Sequence, residues 1–111
     1  MNVRTRSVLE HMLEDVDDVI VFSCDINDVK EYSSDKLRRK AIIMSLLSIG
    51  ELAKQLPEEF KLMHRNVSWK KIIKLRNIAA HGYRVLEDEI VWDIIKYFIP
   101  DIKAFLETQL K

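Results

Sequence analysis

The first segment of the chain repeats apolar residues at steps of three and four, the spacing of one buried face of an α-helix. This pattern predicts an amphipathic helix over about residues 5–22. The residues expected to face the core are Val8, Leu9, Met12, Leu13, Val16, Val19 and Ile20. Acidic side chains occupy the other face, at Glu10, Glu14, Asp17 and Asp18.

The second long segment, about residues 34–56, is apolar on nearly all sides in its middle, A-I-I-M-S-L-L-S-I-G. A helix of this kind is buried on more than one side, and part of its surface could face a second subunit. Gly50 weakens a helix by up to ~1 kcal/mol, which a close approach by another helix would explain. Glu51 follows it at the edge of the apolar surface, and Asn27 or Ser34 is a candidate N-cap.

Two further helices are predicted before Gly82. Pro57 ends the second segment and can open a short helix over residues 57–63. Ser68 or Asn66 can cap the next helix, which runs to about His81. Gly82 is well placed to end this helix in a left-handed conformation. Its inner face is expected to hold Trp69, Ile72, Ile73 and Ala79 or Ala80. Its outward-pointing residues are expected to be Lys70, Lys71 and Lys74.

The last segment, about residues 88–110, again has helical spacing. Its apolar stripe is Val91, Ile94, Ile95, Phe98, Ile102, Phe105 and Leu106. Pro100 lies inside this stripe and is expected to kink the helix or split it in two. The pattern as a whole predicts an all-α fold with four principal helices in one bundle.

Composition agrees with one helical domain over residues 1–111. The chain has 111 residues, too few for a second independent core, and only two Gly and two Pro for turns. Cys24 is the single cysteine, so nothing indicates an oxidising compartment. No apolar run approaches the ~20 residues of a membrane span, and the first residues lack the apolar segment of a secretion signal. We therefore expect a cytoplasmic protein.

Charge is balanced overall but uneven along the chain. Lys plus Arg and Asp plus Glu both number 18, so the net charge is zero. The chain therefore lacks the excess of positive charge that is typical of nucleic-acid-binding proteins. The stretch from Lys61 to Arg84 holds seven basic residues and no acidic one. A local basic face around this stretch could contact phosphate, and a solvated lysine face on a helix is the plainer alternative.

Chemistry-bearing residues concentrate between Arg76 and Tyr83, which reads R-N-I-A-A-H-G-Y. Arg76 offers a permanently charged clamp for phosphate, and His81 can give or take a proton near neutral pH. Asn77 could orient either residue. This set matches a metal-independent RNA cleavage, in which His81 handles a proton and Arg76 stabilises charge at phosphorus. No Asp, Glu, His or Cys cluster has the spacing of metal ligands, and no cofactor motif is present.

The plainer interpretation of the same stretch is a helix end at which His81 and Arg84 meet the helix dipole. Arg76 and His81 lie about 140° apart on a regular helix and would converge only if the helix loosened at His81. Tyr83 would then be a half-buried packing residue, and Glu51 an ion-pair partner for a nearby cation such as Arg76.

The residues resemble the HepT-like family of small HEPN-domain proteins over almost the whole chain. The resemblance rests on I-G-E at residues 49–51, L-P-E-E-F at 56–60, V-S-W-K-K-I-I-K-L-R-N-I-A-A-H-G-Y at 67–83 and E-I-V-W-D at 89–93. Ala79 and Ala80 are a small departure, because many members carry a larger apolar residue before the histidine. The departure leaves the spacing from arginine to histidine to tyrosine intact.

The resemblance implies an up-down HEPN-type four-helix bundle with one or two short extra helices, which dimerises with arginine and histidine lining a cleft. It implies a toxin ribonuclease whose catalytic residues are Arg76 and His81, with Asn77 as a supporting polar group. Glu51, at the edge of the apolar surface, is a second candidate for a supporting polar group. It also implies a partner nucleotidyltransferase antitoxin that transfers AMP to Tyr83. On this interpretation, Lys70, Lys71, Lys74 and Arg84 are expected to contact RNA phosphates.

Two other functions stay open from the sequence. The chain could be a non-catalytic subunit that holds a nucleotide or substrate for a minimal nucleotidyltransferase. It could also be a structural bundle in which only a dimer surface matters, with Gly50 at that surface.

Overall fold

The computed structural model describes residues 1–81 and 88–111, and of His81 it describes the backbone only. All regular structure in these residues is helical, which confirms the all-α prediction. The helices are α1 (Val3–Ser23), α2 (Val29–Ser34), α3 (Lys36–Lys54), α4 (Glu58–Met63), α5 (Trp69–His81), α6 (Asp88–Asp93) and α7 (Ile99–Gln109). A π-helical turn over Ile94–Phe98 joins α6 to α7. In this part of the chain no helix combines the length and the apolar character that a membrane crossing needs.

Helix α3 packs against both α1 and α5, and α1 also packs against α7. The α1–α7 pair is antiparallel, because Arg6 donates a hydrogen bond to the Leu110 carbonyl and Asp17 pairs with Lys103. The predicted inner face of α1 is confirmed. Its fully buried members are Leu9, Met12, Val16 and Val19. Four principal helices with two short extra ones, α2 and α4, agree with the predicted bundle.

The start of the second segment differs from the prediction. Helix α2 was not predicted, and the two helix caps lie one residue after the expected ones. The Asp28 side chain accepts a hydrogen bond from the Glu31 N–H at 2.9 Å, and Asp35 accepts from the Arg38 N–H at 3.1 Å. Aspartate caps a helix as well as asparagine or serine does, so residue type alone could not choose between neighbours.

Pro100 interrupts the last helix as predicted. Proline has no N–H, and its ring crowds the carbonyl four residues earlier, so a regular α-helix cannot run through it undisturbed. The chain responds directly before Pro100, where the Ile99 N–H bonds to the Ile94 carbonyl across five residues. Pro100 then falls in the first turn of α7, where the missing N–H costs no hydrogen bond.

A buried ion pair joins α6 to α3. Arg39 donates from Nη2 and Nε to Asp88 Oδ1, at 2.8 and 3.2 Å, and the two side chains are 12% and 4% exposed. The fully buried Tyr32 of α2 packs beside the pair, with its ring centre 6.0 Å from the Arg39 guanidinium carbon. Burial raises the pKa of the Tyr32 phenol, and the charge of Asp88 raises it further. Tyr32 is therefore neutral at all ordinary pH values.

Candidate functional site

Aromatic packing fixes where α5 begins. The Trp69 ring nitrogen donates a hydrogen bond to the His64 carbonyl at 3.0 Å. The His64 ring packs between Phe60 and Phe105, with ring centres 4.6 and 5.3 Å away. Trp69 and Phe105 meet edge to face at 5.6 Å. The first turn of α5 is thus held against both α4 and α7, and His64 is a packing residue.

Gly50 of α3 is the point at which α5 comes closest. A Cβ atom on residue 50 would lie 2.6 Å from the backbone nitrogen of Arg76 and 3.0 Å from its Cβ. Only glycine leaves room for that approach, which confirms the predicted reason for a glycine inside this helix. Gly50 faces α5 of its own chain, and its substitution is therefore no clean test of a dimer surface.

We expect Gly50→Ala to destabilise the fold and misplace Arg76. The added methyl group would overpack the α3–α5 contact, at about 1–3 kcal/mol. The better helix propensity of alanine offsets up to about 1 kcal/mol of this. Urea denaturation should show a net loss of about 1–2 kcal/mol in the free energy of unfolding. An unchanged or raised free energy of unfolding would contradict the close approach.

Glu51 lies beside the Arg76 side chain. Glu51 Oε1 is 2.5 Å from Arg76 Nε, which confirms the ion pair suggested by the sequence. The contact is an ion pair rather than an aligned hydrogen bond, and Oε1 itself is shielded from solvent. The two side chains as a whole are 51% and 40% exposed, for Arg76 and Glu51 respectively. The Arg76 side chain is therefore accessible to an anion in solvent, while Glu51 contacts its Nε atom.

The exposed face of α5 carries polar residues in helical register with the motif. Lys70, Lys74 and Asn77 follow one another at steps of four and three, so they line one side of the helix. All three are exposed, as predicted for the two lysines. Asn77 Oδ1 lies 3.4 Å from Arg76 Nη1, close enough for a weak hydrogen bond. Asn77 continues the row of lysines, whereas Arg76 lies about 160° round the helix axis from Lys74, on the side next to α3.

The basic residues do not form a single patch. Lys61, Arg65 and Lys70 surround a shallow depression of about 590 Å³ between α4 and α5. Lys74 instead lines a groove of about 490 Å³ between α5 and the last helix, and Lys71 borders both features. Across this groove stand Asp93 and Asp101, with the half-exposed Ile90 and the exposed Tyr97. Sequence reasoning missed the groove, although Ile90 and Tyr97 recur at a helical spacing of seven.

Comparison with known proteins decides the family. The model of the family described as Ribonuclease HepT-like matches residues 12–109 of this chain. The chain belongs to the HepT-like family. A Methanocaldococcus jannaschii protein named "Putative RNase MJ1380" is 36% identical over 102 residues, covering 92% of this chain and 93% of the relative. "Putative RNase MJ0127" of the same organism is 40% identical over 103 residues, covering 92% and 84%.

A third HepT-like relative comes from Thermococcus cleftensis. It is named "Probable ribonuclease HepT" and is 28% identical over 106 residues, covering 96% of each chain. No solved structure matches this HepT-like chain. The family resemblance drawn from the motifs is therefore confirmed over nearly the full length.

Several predicted site residues of the HepT-like chain lie outside the described part. Tyr83 and Arg84 are among them, and so is the side chain of His81. The backbone of α5 stays helical through His81, five residues after Arg76. The loosening that would let the two residues converge is therefore not seen up to His81, and α5 alone does not bring them to one side.

Metal-ligating groups do not cluster in the portion of the chain described here. No three His, Cys, Asp or Glu side chains of residues 1–80 and 88–111 come together in a way that could hold a metal ion. Asp93 and Asp101 face the groove as two separate carboxylates.

Proposed function

We propose that this HepT-like chain is a metal-independent ribonuclease whose catalytic residues are Arg76 and His81. The observation that carries the proposal is the accessible Arg76 guanidinium, held on its inner edge by Glu51 in a chain of the HepT-like ribonuclease family. Guanidinium has five N–H donors in a planar fork that fits a phosphate group. An arginine half exposed to solvent can accept such a ligand without breaking the core.

The proposed reaction is an internal transfer at phosphorus. The 2′-hydroxyl oxygen of the RNA attacks the neighbouring phosphorus, and the bond to the 5′-oxygen breaks. The hydroxyl proton leaves the attacking oxygen and a proton is supplied to the departing 5′-oxygen. His81 is proposed to handle one of these protons, and Arg76 to stabilise the charge on the phosphoryl oxygens. The products are a 2′,3′-cyclic phosphate and a free 5′-hydroxyl.

RNA is proposed to approach along the first half of α5. Lys70, Lys71 and Lys74 are exposed and form no ion pair with any described residue. Their charge is therefore available to RNA phosphates, and Arg84 is proposed to add to it. Because the net charge of the chain is zero, binding should rest on this local charge and weaken steeply with salt.

A second copy of the chain is proposed to complete the site. Leu37 and Met44 of α3 are 81% and 66% exposed, although both are large and apolar. They lie seven residues apart, and Glu51 follows after another seven, so the three share one side of α3. An exposed apolar stripe that leads to the Glu51–Arg76 pair supports a homodimer with the motif residues at its cleft. In such a dimer, Arg76 of one copy and His81 of the other could act on one phosphate.

We further propose that the chain is the toxin of a two-gene module and is silenced by AMP transfer to Tyr83. A partner nucleotidyltransferase would supply the AMP from ATP. An AMP group on Tyr83, two residues from His81, would crowd the cleft, and its negative charge would repel RNA phosphates. The chain has three tyrosines, and the buried Tyr32 is out of reach of a modifying enzyme. Tyr97 is 66% exposed and is the matched control.

Intact-mass measurement tests the modification. The chain is incubated with its neighbouring nucleotidyltransferase and ATP, as wild type, Tyr83→Phe and Tyr97→Phe. We expect the wild type and Tyr97→Phe to gain one or more AMP units, and Tyr83→Phe to gain none. An AMP gain that persists in Tyr83→Phe but disappears in Tyr97→Phe would contradict the proposed site. No gain in any sample, with a demonstrably active partner, would contradict the modification altogether.

A further inference from the structure

Arg76 is fixed to α3 at two consecutive residues. Its backbone rests on Gly50, where a Cβ atom would lie 2.6 Å from its nitrogen. Its side chain meets Glu51, with Nε 2.5 Å from Oε1. Ile49, directly before them, is fully buried in the core. Each residue of this segment thus has its own contact. Ile49 packs in the core, Gly50 leaves room for α5, and Glu51 contacts the Arg76 guanidinium.

The contact uses only one edge of the guanidinium. Glu51 lies at Nε, and its contacting oxygen is shielded from solvent. Nη1 has the weakly placed Asn77 oxygen at 3.4 Å, and no other hydrogen bond or ion pair from a described residue reaches Nη1 or Nη2. The Nη1–Nη2 fork is the edge that binds phosphate through two parallel hydrogen bonds. Glu51 thus leaves the phosphate-binding edge open.

An exposed ion pair of this kind adds little to folding stability. Its main effect is therefore on the orientation of the Arg76 side chain. A long arginine side chain samples many rotamers, and each misplaced rotamer lowers the fraction of molecules ready to bind phosphate. A carboxylate fixed on the neighbouring helix selects one rotamer family.

We propose that Glu51 is a positioning residue, which holds Arg76 by its Nε edge so that the Nη1–Nη2 fork faces the RNA phosphate. This role rests on the proposed ribonuclease function and acts through Arg76 alone. The opposing possibility is that Glu51 occupies the phosphate position and must be displaced. The two differ in sign, because loss of a positioning residue slows cleavage while loss of a competitor speeds it.

Steady-state cleavage of a labelled RNA by Glu51→Ala and Glu51→Gln tests the role. We expect Glu51→Ala to lower kcat between about 10- and 100-fold, as a misplaced catalytic group does. Its KM should change less, because the lysines that bind RNA are untouched. Glu51→Gln keeps the shape of the side chain but loses its charge, so it should recover only part of kcat, because the contact is an ion pair. Glu107→Ala is the matched control, a surface glutamate that pairs with Lys103 on α7, and should behave as wild type.

A second comparison separates positioning from a general structural effect. In an Arg76→Lys background there is no Nε edge to hold, so Glu51→Ala should cause little further loss. Independent losses in the double variant, faster cleavage by Glu51→Ala, or an unchanged kcat in an active protein would each overturn the positioning role alone. A wild type that cleaves no RNA would instead overturn the proposed function itself.

Discussion

Arg76→Ala should lower kcat/KM for RNA cleavage by about 100- to 1000-fold, the cost of removing one preorganised group that stabilises transition-state charge. His81→Ala should lose a factor of about 100 to 10,000, as expected for a general acid or base. The measurement is the initial rate with a labelled RNA at low salt. Because the Arg76 side chain is 51% exposed, its removal should leave the fold intact.

Two variants sharpen the result for Arg76. Arg76→Lys keeps the charge but not the planar fork, and should retain only part of the activity. Arg65→Ala removes an exposed arginine from the same basic stretch and should change kcat little. Its RNA binding should weaken by less than about tenfold, with a shallower dependence on salt, because one fewer phosphate contact is made. Full activity in Arg76→Ala, or equal losses in Arg65→Ala and Arg76→Ala, would contradict a specific role for Arg76.

Arg39→Met should lower the free energy of unfolding by about 3–5 kcal/mol, the usual cost of breaking a buried ion pair. The substitution leaves the Asp88 carboxylate, only 4% exposed, without the guanidinium that neutralises it. It also removes the cation beside the Tyr32 ring. Urea denaturation followed by circular dichroism measures the change, because α2, α3 and α6 all contribute to the affected contact.

Two matched variants test whether burial is the cause. Arg38 lies next in sequence and pairs with Asp25 and Asp35 at the surface, so Arg38→Met should lower the free energy of unfolding far less than Arg39→Met does. Replacing both partners, as in Arg39→Met with Asp88→Leu, should restore much of the lost stability, since two apolar side chains leave no buried charge. Equal costs for Arg38→Met and Arg39→Met would contradict the assignment.

The helices were predictable because apolar spacing carries the information locally. In α1 and in the last helix, the apolar residues predicted to face the core do so. The effects of Gly50 and Pro100 were also predictable, because both residues are unfavourable inside a regular helix. Gly50 allows the close approach of α5, and Pro100 follows a π-helical turn. The short helix α2 was not predictable, since its six residues bury only Tyr32 and show no period.

The site was predictable as a list of residues and only partly as an arrangement. The pairing of Glu51 with Arg76 could be suggested because both flank apolar helical faces. The pairing of Arg39 with Asp88 could not, because 49 residues separate them and nothing local links α3 to α6. The separation of the basic residues into a depression and a groove depends on how α5 packs against α4 and α7, which sequence spacing does not contain.

The most direct test of the account is the chemistry at the RNA ends. The purified protein is incubated in EDTA with an RNA oligonucleotide and with the DNA oligonucleotide of the same sequence. We expect cleavage of the RNA alone, with 2′,3′-cyclic phosphate ends that are absent when His81→Ala replaces the wild type. RNA left intact under all conditions, or cut equally by His81→Ala, would contradict a ribonuclease built on Arg76 and His81. Nucleotide binding that is lost in Arg76→Ala without any cleavage would then favour a binding subunit.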